Sequence, residues 1–104
     1  MYTPIKLDKV RNLRYGMVAL DLIEQSLGMS IQSLDLDNLT MRQLGTVIWA
    51  GLYHEDKNLT VEKVMELVDE YSNIVEVVEI MSQAFQKAFS GKAAPPEDKE
   101  EGKN

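Results

Sequence analysis

The chain has 104 residues, which suffices for one domain around one core and not for two. It contains no Cys, so structural disulfides, thiolate zinc sites and a cysteine nucleophile are excluded. Its net charge is −6, which opposes long-range attraction to phosphate backbones.

The charge is unevenly placed. Lys6, Lys9, Arg11 and Arg14 against Asp8 give the first fourteen residues a net +3, and the rest of the chain is then −9. This basic leading segment carries no aromatic platform for base stacking, and we read it as a solvated arm. Residues 1–14, the N-terminal arm, are expected to be extended. Pro4 disfavours helix just before it, and Ile5, Leu7 and Val10 alternate with charged residues, as in a short strand or an arm lying on the body. No apolar core of signal-peptide type follows the basic start, and no stretch approaches the roughly 18 apolar residues of a membrane span. The expectation is a mature cytosolic protein without membrane contact.

Four helices are predicted over residues 15–90. The first runs from about Tyr15 to Leu27, with Leu20, Ile23 and Leu27 at helical spacing and Met17 beside them. Gly28 stops it. Residues 29–39 form a connector, in which Ser30 is placed to cap one turn over Ile31 to Leu34. Leu34, Leu36 and Leu39 tuck beneath.

The second helix, 40–53, opens with a capping box of Thr40 and Gln43 and a hydrophobic staple of Leu39 and Leu44. Its buried stripe is Leu44, Val47, Ile48 and Leu52, with Met41 and Gly51 at the edges. The third starts at the Thr60 cap, with Leu59 and Val64 as staple and Glu62 at the positive end of the dipole. Its apolar face is Val61, Val64, Met65, Val68 and Tyr71. The last starts near Asn73, with Glu76 completing a second capping box. Ile74, Val77, Val78, Met81, Phe85, Ala88 and Phe89 hold the helical period. The β-branched run Val75, Val77 and Val78 would also suit a strand, but the length of the periodic stretch decides for helix. Met17, Met65 and Met81 are read as core, and Met29 and Met41 as exposed. Residues 91–104, "GKAAPPEDKEEGKN", hold nothing apolar larger than Ala and are expected to be a disordered tail or linker. The fold class is thus all-α: a small bundle of about four helices with an extended N-terminal segment.

One stretch invites a catalytic reading. "WAGLYHEDKNLT", 49–60, holds the only Trp and the only His, and His54 is followed by Glu55 and Asp56. Metal ligands must converge from several elements, whereas three adjacent side chains diverge, and no second His exists. We read residues 54–58 as the turn between two helices, with His54 at the negative end of a helix dipole and Glu55 and Asp56 solvated. "DLDN", 35–38, fails as a calcium loop because Leu39 and Thr40 fall on a ligand position and the glycine position. No nucleophile–base–orienter set is present. Catalytic, cofactor and metal residues are therefore none.

The charged pattern marks a different surface. Glu62, Glu66, Asp69 and Glu70 share a face of the third helix, and Glu76 and Glu79 follow on the fourth. Like charges at this spacing cost some helix stability. They read either as a solubilising face or as a surface for a basic partner helix. The alternative, a small helical nucleic-acid-binding regulatory module of phage origin, would need a basic recognition helix. The second helix offers only Arg42 and Gln43.

Three segments carry a family resemblance: "DLIEQSLGMSI" at 21–31, "LDLDNLTMRQLGTVIWAGLYHED" at 34–56 and "LTVEKVMELVDE" at 59–70. With them the chain resembles the tail assembly chaperones of long-tailed bacteriophages and related prophages over residues 13–90. "WAGLYHED" is the most specific piece. The resemblance implies a non-catalytic protein of the host bacterial cytoplasm that is absent from the mature virion. It would hold the tape-measure protein soluble and help recruit tail-tube protein, with self-association possible. It also implies that a translational frameshift near the end of the gene could append a second domain through the tail.

Overall fold

The computed structural model describes residues 2–90. Its elements run β1 (Thr3–Lys6), β2 (Val10–Leu13), α1 (Met17–Leu27), a single 3₁₀ turn (Ile31–Ser33), α2 (Met41–Leu52), α3 (Val61–Tyr71) and α4 (Ile74–Ser90). The expected tail at 91–104 lies outside the described residues.

The chain is mostly helical but not all-α. The expected arm folds into an antiparallel hairpin, with Thr3 opposite Leu13 and Ile5 opposite Arg11. Thr3 and Ile5 are buried from β1 and Leu7 just after it, and Arg11 and Leu13 from β2 and Tyr15 two residues beyond it. The alternation is real and keeps one phase across the turn, with odd positions buried on both sides, so Val10 does not belong to it. Val10 is exposed and Arg11 points inward. A two-stranded ribbon is marginal alone. This one is held because β1 packs on α4 and β2 on α2, so that the hairpin wedges between the two helices.

Helix α2 is the centre of the fold. Its capping box is present in full: the Thr40 hydroxyl accepts from the Gln43 N–H at 3.1 Å and the Gln43 side chain accepts from the Thr40 N–H at 2.9 Å. Helix α1 and helix α3 pack against it and the hairpin covers its C-terminal part. Burial therefore extends beyond one stripe to Gly45, Thr46, Ala50 and Gly51. Gly51 is required to be small. A Cβ there would lie 2.7 Å from the Tyr15 ring and 2.8 Å from Leu13 Cδ2.

The remaining helices follow their caps. Thr60 accepts from Lys63 and Asn73 from Glu76. Gly28 takes a left-handed φ of 69° and closes α1 onto the Glu24 carbonyl. Helix α1 begins two residues later than expected. Tyr15 is buried instead, donating its hydroxyl to the Val47 carbonyl at 2.8 Å and packing 4.4 Å from the Phe85 ring. Met17 is corrected from core to surface, at 87% exposed. In α3 the buried stripe is Val64, Leu67 and Val68, while Tyr71 faces outward. In α4 the core residues are Val77, Met81, Ala84 and Phe85. Ile74 and Phe89, expected in the stripe, are exposed at its two ends, where no described residue covers them.

Candidate functional site

The His54 cluster resolves first. His54, Glu55 and Asp56 do not converge on a common point; each reaches the hairpin. His54 Nε2 donates to the Asn12 carbonyl at 2.7 Å, since a carbonyl oxygen can only accept. The Glu55 carboxylate accepts from the Asn12 N–H at 3.1 Å and from its side-chain amide at 3.0 Å. Asp56 stands 3.7 Å from the Arg11 guanidinium, which Asp8 also grips through two bonds. Tyr2 stacks on the imidazole with ring centroids 5.3 Å apart.

Two expectations are corrected here. Glu55 and Asp56 are not merely solvated turn residues but fasten the hairpin. Arg11 is not part of a solvated arm: it is 6% exposed and paired. The Arg11 guanidinium beside Asp8 holds that carboxyl below the usual range. At Glu55 partial burial pushes the carboxyl up, and the hydrogen bonds from Asn12, helped by His54 and Arg11, more than offset it, leaving a net downward shift. Trp49 is half-buried and anchors the next connector, donating its indole N–H to the Leu59 carbonyl at 2.9 Å. Among the described residues no group of three or more His, Cys, Asp or Glu could hold a metal ion.

The acidic residues occupy a different region. Glu62, Glu66, Asp69, Glu70, Glu76 and Glu79 are all exposed. Glu62 is tied to Arg42 of α2 at 2.8 Å, which lowers its carboxyl below the ordinary value. Glu66, Asp69 and Glu70 make no ion pair among the described residues.

The chain matches no family model, no curated protein and no solved structure. Its functional reading therefore rests on its own sequence and surface.

Beside the acidic face lies an apolar groove of about 200 Å³ between α2, α3 and the start of α4. Leu44, Ile48, Val64 and Val68 are buried and form its floor. Met41, Asp69 and Ile74 stand at its edge, with Met41 and Ile74 about half exposed, at 52% and 47%. Met65 leans over Gly45 from α3; a Cβ on Gly45 would come within 2.8 Å of it. The sequence pattern located the carboxylates but not this groove. The missed signal was Gly45 with Met41 and Met65: a glycine that brings two helices close, flanked by adaptable thioethers. A second apolar groove, about 510 Å³, lies between the 29–39 connector and α4 around Ile31, Leu34, Phe85 and Phe89. No described helix is long and apolar enough to cross a membrane.

Proposed function

We propose that this protein is a non-catalytic phage tail assembly chaperone, which holds the tape-measure protein soluble and helps recruit tail-tube subunits in the host bacterial cytoplasm. The observation that carries the reading is the adjacency of exposed apolar side chains and carboxylates that make no ion pair among the described residues. Tyr71, Ile74 and Val75 stand in the open at the junction of α3 and α4, next to Asp69, Glu70 and Glu76. A holding protein needs apolar surface to cover that of its client and charge to keep the pair in solution. The sequence resemblance supplies the client. Many weak contacts along a long, repetitive tape measure would add by avidity.

The nucleic-acid alternative loses support. One of the four cations of the leading segment, Arg11, is buried and already paired.

Co-expression tests the proposal. A phage tape-measure protein co-expressed with the chain is expected in the soluble fraction, and in the pellet when expressed without it. Equal amounts of soluble tape-measure protein in both cultures would overturn the reading. Intact mass of the native product tests the frameshift separately: a minor species extended beyond residue 104 is expected, and its absence would remove that part alone.

A further inference from the structure

We infer that the groove between α2, α3 and the start of α4 is a docking site for a basic amphipathic helix. The inference deepens the chaperone reading and rests on it only for the identity of the natural partner.

Three observations choose the occupant. The floor is apolar and closed by Leu44, Ile48, Val64 and Val68, while Met41, Met65 and Ile74 can shift to fit a row of side chains. That is the surface on which the apolar stripe of a helix is usually seated.

One carboxylate, Asp69, lines the groove, and Glu62, Glu66 and Glu70 are exposed on the adjoining face of α3, in positions the helix itself disfavours. Asp69 and Glu70 lie in the last turn of α3, at the negative end of its dipole, and that turn holds no basic residue. Glu62, Glu66 and Glu70 also repeat at i,i+4, where like charges repel. Only Glu62 has a cation, Arg42, to relieve it among the described residues. Asp69 at the edge and the carboxylates on the adjoining face raise the negative field beside the groove, and Lys or Arg flanking the stripe of an incoming helix would answer it.

Neither residues 91–104 nor the leading segment suits the site. Residues 91–104 hold nothing apolar larger than Ala, and the leading segment is used up in the hairpin. A second copy would bring a further net −6 toward the same carboxylates.

The test uses the full-length chain and two synthetic amphipathic helical peptides, one with a leucine stripe flanked by lysines and one with the same stripe flanked by glutamates, titrated by calorimetry. The lysine peptide is expected to bind, more weakly as salt is raised, and the glutamate peptide to bind at least about tenfold more weakly. Met41→Glu with Ile74→Glu, and separately Glu66→Lys with Asp69→Lys, are each expected to lower the lysine peptide's affinity at least about tenfold. All four positions are exposed, and circular dichroism checks that the fold survives. Undiminished binding to either folded double variant overturns the inference, as does equal binding of the two peptides. A wild-type dimer in sedimentation that Met41→Glu dissolves would place a second copy in the groove and overturn it too. Should M41E/I74E fail to fold, a photoreactive lysine peptide decides on the wild-type chain: attachment at Met41, Met65 or Ile74 supports the groove and attachment elsewhere overturns it. The two readings fail separately. Tape-measure protein kept soluble by M41E/I74E as well as by the wild type would remove the groove and leave the chaperone. Peptide binding by a chain that does not hold the tape measure would do the reverse.

Discussion

His54 Nε2 lies 2.7 Å from the carbonyl oxygen of Asn12, tying the end of the central helix to the middle of β2 across 42 positions of sequence. The only His of the chain is thus a clasp, and its neighbour Glu55 closes the same clasp on the Asn12 amides.

Replacing His54 by Ala is expected to loosen the hairpin. The variant loses a part-buried hydrogen bond and the stack with Tyr2, together about 1–2 kcal/mol. Urea denaturation measures the loss. Hydrogen exchange should locate it at the amides of residues 3–13, with those of α3 unchanged. Uniform loss of protection would show instead that the hairpin and the helices open together.

The acid limb of stability follows from the same clasp. Glu55 and Asp8 are both lowered in the folded state, from ordinary values of 4.5 and 3.8. Groups lowered by folding stabilise it above their unfolded pKa, and that contribution is lost as pH falls through the folded pKa. The melting temperature is therefore expected to decline as pH drops below about 4.5, from these two groups, and not between pH 5 and 7. Glu55→Gln should be less stable than wild type at neutral pH, because its amide faces the Asn12 donors, and the gap should narrow in acid. A gap independent of pH would assign the Glu55 contribution to packing.

The two buried glycines of α2 should respond differently to Ala. Either substitution gains up to ~1 kcal/mol of helix propensity. At Gly51 the new methyl meets the Tyr15 ring at 2.7 Å and Leu13 at 2.8 Å, both held inside the core, so a net loss of about 1–3 kcal/mol is expected. At Gly45 the obstacle is Met65, a flexible and half-buried side chain that can swing away. G45A should be within about 1 kcal/mol of wild type. Thermal melts of the two variants compare them directly.

Replacing Glu66, Asp69 and Glu70 together by Lys should not unfold the domain. All three are exposed, and Lys suits the C-terminal end of α3, at about 0.3–1 kcal/mol for each favourable charge near the terminus. A variant at least as stable as wild type that no longer keeps the tape-measure protein soluble is the expected result. A stable variant with full holding activity would free these carboxylates of any part in binding.

Local rules were legible from residue identity. The Thr40–Gln43 box, the Thr60 and Asn73 caps and the Gly28 stop act within a few residues, so a sequence displays them without the fold. The acidic face could be read for the same reason, as a periodicity along one helix. Arg11 could not. Its burial depends on Asp8 and Asp56, and the second of these arrives from a turn 45 positions later in the chain. The exposure of Met17, Ile74 and Phe89 was hidden too, because periodicity says which side chains share a face and not whether a neighbour covers it.

By itself, then, the sequence determined four capped helices, a single Cys-free domain and a row of carboxylates, because propensity, capping and charge act over one or two helical turns. The tertiary structure alone decided that the basic leading segment is a hairpin wedged between α2 and α4. It also decided that His54, Glu55 and Asp56 fasten that hairpin, and that a groove opens beside the carboxylates. Each of these depends on burial and contacts between residues far apart in the chain. Those contacts form only when the ordering of the whole domain is offset by its shared core.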